Sequence, residues 1–188
     1  QVHYLRKGRI ADFIVKAPMV IGHESAGEVV AVGKAVTTLA VGDRVAMEPG
    51  IACQRCKPCK TGAYNLCPDM KFFATPPVHG SLAHFVHHPA DLCFPLPSLL
   101  SYEDGAMCEP LAVGVYACIK ANIRPGMRVL ITGAGPIGLV TLLSARAFGA
   151  SEIIITDVDE RRVAIAAAAA APGVKALCVA GKTMAEVL

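Results

Sequence analysis

Arg128-Val129-Leu130-Ile131-Thr132-Gly133-Ala134-Gly135-Pro136-Ile137-Gly138-Leu139 joins a β-branched apolar run to a G-x-G-x-x-G turn and then to a segment patterned as a helix. Strand, turn and helix in this order are what a dinucleotide phosphate loop requires, because backbone N–H groups and a helix N-terminus then face the pyrophosphate. Gly133, Gly135 and Gly138 are the candidate cofactor-binding glycines. A turn needed only for close helix–strand packing is the competing reading of the motif taken alone.

The residues that follow favour the nucleotide reading. Leu139, Val140, Leu142, Leu143, Ala147 and Phe148 form an apolar helical stripe that Gly149 ends. Glu152-Ile153-Ile154-Ile155-Thr156-Asp157 reads as a second buried strand, near-continuously apolar as parallel sheets prefer. Asp157, nineteen residues after Gly138, ends it where a carboxylate would accept adenosine ribose hydroxyls and repel a 2′-phosphate. NAD is therefore favoured, while Arg161 and Arg162 keep NADP in view. Asp159 caps a helix predicted through the Ala164–Ala171 run and stopped by Pro172-Gly173, and residues 174–179 are a third strand. Thr183-Met184-Ala185-Glu186 is a further capping box, so a truncated C-terminal end is expected.

Upstream the pattern is different. Residues 28–33 and 41–47 read as strands, and Pro and Gly recur at spacings that suit a partly closed β-barrel with little helix. Ser101-Tyr102-Glu103-Asp104 starts a helix that Glu109-Pro110 interrupts, and residues 111–121 are predicted as a connecting helix. The change of pattern divides the chain near residue 115, into domains 1–115 and 116–188.

Two residue constellations in the first domain suggest metal chemistry. Cys53, Cys56, Cys59 and Cys67 offer four thiolates within fifteen residues. Zn²⁺ takes four such sulfurs tetrahedrally, and a closed shell leaves no position for substrate, so this site is expected to be structural. An iron–sulfur cluster or buried free thiols are the alternatives, and a zinc-ribbon module would need no dinucleotide unit. Gly22-His23-Glu24-x2-Gly27-x5-Gly33 places a His-Glu pair between glycines. A catalytic zinc needs three protein ligands and one open position, and Glu109 is a candidate to complete the set. A satisfied polar pair and a helix-terminal acid explain the same residues, and spacing alone does not choose.

Composition narrows the partners. The chain has 188 residues, 54% hydrophobic and 18% charged, which fits a compact fold rather than disorder. A net charge of +3 and a basic cluster no longer than Arg6-Lys7-Gly8-Arg9 argue against nucleic acid and for a small-molecule partner. The run Val129–Ala145 contains three Gly and a Pro and falls short of the ~20 residues of a membrane span. No signal peptide is read at the start, and a Cys cluster with four scattered thiols suggests a reducing, cytoplasmic setting.

Together these residues resemble the zinc-dependent medium-chain dehydrogenases, and within them the plant-type sorbitol (polyol) dehydrogenases. The narrower match lies in Val2-His3-Tyr4, Phe13-Ile14-Val15-Lys16, Tyr64-Asn65-Leu66-Cys67-Pro68, Phe72-Phe73-Ala74-Thr75-Pro76-Pro77, Glu109-Pro110-Leu111 and the glycine loop. The resemblance implies a GroES-like β-barrel domain followed by an incomplete Rossmann doubly wound parallel sheet. It implies His23 and Glu24 as catalytic-zinc ligands, Glu109 as a ligand or a substrate-side acid, and Tyr4 and Phe72 in a polyol pocket. Ile137, Asp157 and Arg162 fall where that family contacts NAD. The family's cysteine ligand lies upstream of the Val2-His3-Tyr4 match, which implies N-terminal truncation. The expected activity is zinc-assisted hydride transfer from sorbitol or a similar polyol to NAD, with a homotetramer as the complete assembly. A threonine or L-idonate dehydrogenase, or an inactive zinc- and nucleotide-binding fragment, are the alternatives.

Overall fold

Short ladders separated by turns build the first part of the chain, and a parallel sheet with helices builds the second, in a computed structural model that describes residues 2–169, 172–182 and 186. The two compact units meet in sequence at Glu109 and Pro110.

In the first unit α1 (Val2–Lys7) leads into a hairpin of β1 (Arg9–Ile10) and β2 (Phe13–Ile14). An antiparallel sheet follows, formed by β3 (Ala26–Glu28), β4 (Arg44–Met47) and later β7 (Cys93–Pro95), in the order β3-β4-β7. Between these, β5 (Gly50–Ile51) pairs with β6 (Lys71–Phe72), and the cysteine-rich loop between them carries α2 (Lys57–Lys60). Of the strand predicted over 28–33 only Glu28 lies in a strand, as the last residue of β3. Val29 still exchanges bonds with Asp43 and Gly42, each 2.8 Å, but Gly42 turns the partner chain away at φ +94° and the ladder stops. Val30 and Val32 are left exposed.

The Ser101 start is realised in full. Its hydroxyl accepts the Asp104 N–H while the Asp104 carboxylate accepts the Ser101 N–H, and α3 (Tyr102–Ala106) follows. The next helix corrects the sequence reading: α4 (Cys108–Lys120) begins before Glu109-Pro110 rather than after it. Pro110 sits in the first turn, where its missing N–H would have had no intrahelical acceptor.

In the second unit β8 (Arg128–Thr132), α5 (Pro136–Ala147), β9 (Glu152–Asp157), α6 (Glu160–Ala168) and β10 (Val174–Cys178) form a parallel sheet in the order β10-β9-β8. That is the 3-2-1 half of the doubly wound arrangement. Register pairs Thr132 with Thr156 and Asp157 with Cys178, so the C-terminal ends of the strands align. Leu142, Ile153, Ile155 and Cys118 are fully buried and centre the core, each large aliphatic side chain contributing about 2–3 kcal/mol. Helix α6 ends at Ala168, capped at its start by Asp159, which accepts N–H bonds from Arg161 and Arg162. Residues 170–171 of the Ala-rich run, and the Thr183-Met184-Ala185 part of the predicted capping box, lie outside the described residues.

Candidate functional site

Among the described residues, two groups of metal-ligating side chains converge, each with its donor atoms within 4.8 Å of one another: Cys53, Cys56, Cys59 and Cys67, and His23, Glu24 and Glu109. Both lie in the first unit.

The thiol group is shaped by its own loop. Cys56 stands at the N-cap position of α2, Pro58 occupies the first turn, and the Cys53 N–H points at the Cys67 sulfur at 3.3 Å. The Cys56 and Cys59 sulfurs stand 3.3 Å apart. Four sulfurs about 2.3 Å from a Zn²⁺ would be separated by about 3.8 Å, so the donor set fits a tetrahedral cation. N–H bonds from Arg55 and Cys56 bring the Cys53 thiol down to about 6, the larger share from Arg55. Desolvation, followed by hydrogen bonding with Cys56, pushes Cys59 up to about 12. A cluster that holds one thiolate readily and resists another is what a divalent cation would balance. All eight cysteines are free thiols.

The second group joins residues that are far apart in the sequence. His23 and Glu24 precede β3, and Glu109 is the second residue of α4. Burial holds the His23 imidazole below its ordinary range against the opposing pull of Glu24, so the neutral ring is favoured. Burial and then the Glu24 carboxylate raise Glu109. A neutral imidazole beside two mutually repelling carboxylates fits a divalent cation, which would relieve that repulsion. Phe72 stands edge-on to His23, ring centroids 5.4 Å apart, so a predicted pocket residue does reach this group. Tyr4 is the buried side chain of α1. Residues that carry no ligand motif bind the chain beside the group: Gly80, Ser81 and Leu82 bond to residues 20–22 from a segment 59 to 61 positions away.

The glycine loop is built as the motif requires. Gly133 turns at φ +100°, and a Cβ on Gly138 would fall 2.9 Å from the Gly133 carbonyl carbon and closer still to its oxygen. Gly135 starts α5 without a side-chain cap, so the first-turn amides of Ile137 and Gly138 are available to a phosphate. Leu130, Thr132, Gly133, Thr156, Asp157, Val158 and Val179 line one cleft at the ends of β8 and β9. Asp157 is buried at its edge. One carboxylate oxygen accepts the Ala134 N–H at 2.8 Å, the other accepts the Asp159 N–H at 3.0 Å, and Arg162 lies 3.7 Å away. Asp157 thus ties the phosphate loop to the start of α6 and keeps lone pairs for further donors.

These bonds, Asp159 first and then Ala134, hold the Asp157 carboxyl below its ordinary range. A depressed folded pKa means stability that is present above the ordinary carboxylate range and lost as pH falls toward the depressed value. Asp157→Asn should lower stability at neutral pH and flatten the acid side of the melting-temperature profile, which thermal denaturation across pH will read. A profile parallel to that of the unmodified chain would remove Asp157 from the acid response.

Comparison with known proteins agrees with this geometry. Residues 2–98 match the alcohol dehydrogenase GroES-like domain. The chain is 66% identical over 165 residues to the sorbitol dehydrogenase of Arabidopsis thaliana, covering 88% of this chain and 45% of that protein. It is 60% identical over 165 residues to the L-idonate 5-dehydrogenase of Vitis vinifera, with 88% and 45% covered. The crystal structure of L-idonate 5-dehydrogenase from Escherichia coli superposes with a TM-score of 0.89 at 32% identity, covering 98% of this chain and 54% of that one. The chain spans about half the length of the curated relatives it matches. No described helix is long and apolar enough to cross a membrane. A four-thiol loop, a His-Glu-Glu cluster and a glycine-loop parallel sheet, with the match over residues 2–98, identify the chain as a member of the zinc-dependent medium-chain alcohol dehydrogenases.

Proposed function

We propose that this chain carries the zinc-binding and nucleotide-binding parts of an NAD-dependent polyol dehydrogenase, one that oxidises a secondary alcohol of sorbitol or a similar sugar alcohol to a ketose. The observation that carries the proposal is the convergence of His23, Glu24 and Glu109, with Phe72 against the imidazole. Identity to a sorbitol dehydrogenase supports the substrate class. When bound, zinc supplies Lewis acidity toward a hydroxyl oxygen and NAD supplies the hydride acceptor.

The protein's own groups have separate tasks. His23 offers a lone pair at neutral pH because burial disfavours its protonated form. Glu24 and Glu109 provide carboxylate oxygens, and the raised Glu109 carboxyl is suited to take up or return a proton at a substrate hydroxyl. Phe72 walls one side with an apolar ring, which keeps water from His23. The Tyr4 phenol is assigned to the polyol's remaining hydroxyls. In the nucleotide half the amides at Ile137 and Gly138 face the pyrophosphate, while Asp157 and Arg162 take the adenosine ribose. Four thiolates hold a structural zinc.

In the complete enzyme Glu109→Ala should lower turnover with sorbitol by about a hundredfold or more, the scale of a lost general acid–base group, and leave NAD affinity nearly unchanged. NADH absorbance and a nucleotide titration read the two quantities; unchanged turnover would remove Glu109 from the reaction. A substrate panel tests the class. Sorbitol or xylitol should be oxidised faster than L-idonate. The identity to an L-idonate dehydrogenase supports the second reading, and faster L-idonate oxidation would establish it. Two zincs bound with no polyol oxidised would overturn the first. The free thiols support a reducing, cytoplasmic location, and the complete enzyme is inferred to be a homotetramer, which light scattering will test.

A further inference from the structure

Gly105 is buried in α3 and its backbone is ordinary helix, so no turn asks for a glycine there. A glycine inside a helix lowers its propensity, and Ala would serve the helix better. Space accounts for it. A Cβ at Gly105 would stand 2.6 Å from Leu96 Cδ1 and 2.8 Å from the Ala26 Cβ of β3. Leu96 Cδ1 is the end of a side chain that can change rotamer, whereas the Ala26 Cβ moves only with its backbone. Two small residues, Gly105 and Ala26, therefore set how closely α3 lies on β3.

Both residues stand near metal donors in the chain. Ala26 follows Glu24 by two positions, and Gly105 precedes Glu109 by four, about one helical turn. Helix α3 ends at Ala106 and α4 begins at Cys108, with only Met107 between them, its N–H bonded to the Glu103 carbonyl at 3.0 Å. A shift of α3 at Gly105 is thus carried to Glu109 with no loop to absorb it. The start of α3 is tied to the sheet. Arg44 donates to the Leu100 carbonyl at 2.6 Å and stands over the Tyr102 ring, and the Tyr102 hydroxyl donates to the Glu28 carboxylate at 3.4 Å. Displacement by a larger residue at 105 then falls on the end of α3 that leads to Glu109.

We propose that Gly105 is a positioning residue for the Glu24 and Glu109 pair: by letting α3 rest on Ala26 it sets the separation of the two backbones that carry these carboxylates. Gly105 has no side chain to offer a metal or a substrate. The inference rests on the zinc reading of the His23, Glu24 and Glu109 cluster given above, whose donor atoms converge within 4.8 Å.

Three variants of the full chain test it, each titrated with zinc and crystallised without metal. In Gly105→Ala, zinc affinity at the His23 cluster should fall about tenfold, the low end of the cost of losing support behind a ligand, with the four-thiol zinc retained. The Glu24 and Glu109 α-carbons should stand farther apart in the metal-free crystal structure. Gly105→Ala with Ala26→Gly returns the lost space on the β3 side and should restore both quantities. Gly105→Ala with Leu96→Ala removes the shorter overlap but leaves the one with Ala26, so both quantities should stay altered. If Gly105→Ala alone does not fold, the contrast between the two double variants carries the same test. Unchanged zinc affinity and an unmoved Glu109 in Gly105→Ala, or two double variants that behave alike, would overturn the proposal and leave Gly105 as packing alone. If the unmodified chain binds zinc only at the thiols, the zinc reading of the cluster falls instead, and the Glu24 to Glu109 separation in the variants alone decides whether Gly105 sets it.

Discussion

Gly138→Ala should weaken nucleotide binding and destabilise the second unit together. The added Cβ would overlap the Gly133 carbonyl, 2.9 Å from its carbon and nearer its oxygen, and the obstacle is backbone rather than a flexible side chain. Relief requires moving either the first turn of α5 or the loop that turns at Gly133. Both movements are resisted: Gly133 donates its N–H to the Thr156 carbonyl at 2.7 Å, and the next residue is bound to Asp157. The cost should be about 1–3 kcal/mol of stability, as for other overpacked sites. Affinity for NAD or ADP-ribose should fall by about a hundredfold, because several loop amides would lose alignment at once. Gly135→Ala separates the two effects. Nothing lies within 4 Å of a Cβ there and its φ of −74° suits any residue, so stability should hold. Binding should still weaken, because this glycine lets the backbone approach the pyrophosphate. Calorimetric titration and thermal melts on both variants read the contrast. A Gly138→Ala chain that melts and binds like the unmodified one would show that the loop moves freely, against the bonding just described.

That contrast explains why the nucleotide half is so legible in sequence. Each of its elements carries a local signal whose physical cause operates within a few residues: the Gly133 turn, the uncapped start of α5, Gly149 at φ +85° after the helix, Asp159 accepting two amides of its own helix. The four-thiol loop is legible for the same reason, since its donors are close in the chain and converge with little help. The His-Glu pair is different. Its motif suggests ligands, but Glu109 arrives through α3 and α4, and no spacing rule links residues 23 and 109. Its support is also remote: residues bonded to the segment before His23 come from 79–82, where Gly80 is the one turn-forming signal. The early start of α4 was hidden because Pro110 reads as a breaker anywhere except in a first turn. The end of β3 at Glu28 was hidden because it is set by where Gly42 bends the partner strand, rather than by the valines that follow it.

Stripping zinc from the four-thiol loop should cost more than any single side chain in the first unit. Structural zinc sites of this kind hold their metal by about 10–16 kcal/mol at neutral pH, and the metal's binding energy is folding energy for the loop around it. The loop between β5 and β6 has little else: of its four cysteines only Cys67 is buried, and α2 has no buried residue. Cys67→Ala should therefore release one zinc per chain and unfold this loop, leaving the β8–β10 sheet intact. Elemental analysis and amide exchange will read both. The pattern of thiol acidities adds a sharper test. Metal binding displaces protons from thiols, so affinity rises with pH wherever a ligand is still protonated. Cys53, lowered to about 6, is already largely a thiolate at pH 7 and gives up almost no proton there, whereas Cys59, raised to about 12, gives up a whole one. Lowering the pH to about 5 protonates Cys53 in the metal-free loop, so zinc binding should then release about one more proton than at pH 7. Cys53→Ser should abolish that increment while the Cys59 proton is still released. Calorimetry in buffers of different ionisation enthalpy counts these protons. An increment that survives in Cys53→Ser would place the acidic thiol elsewhere in the loop and overturn the role given to the Arg55 and Cys56 amides.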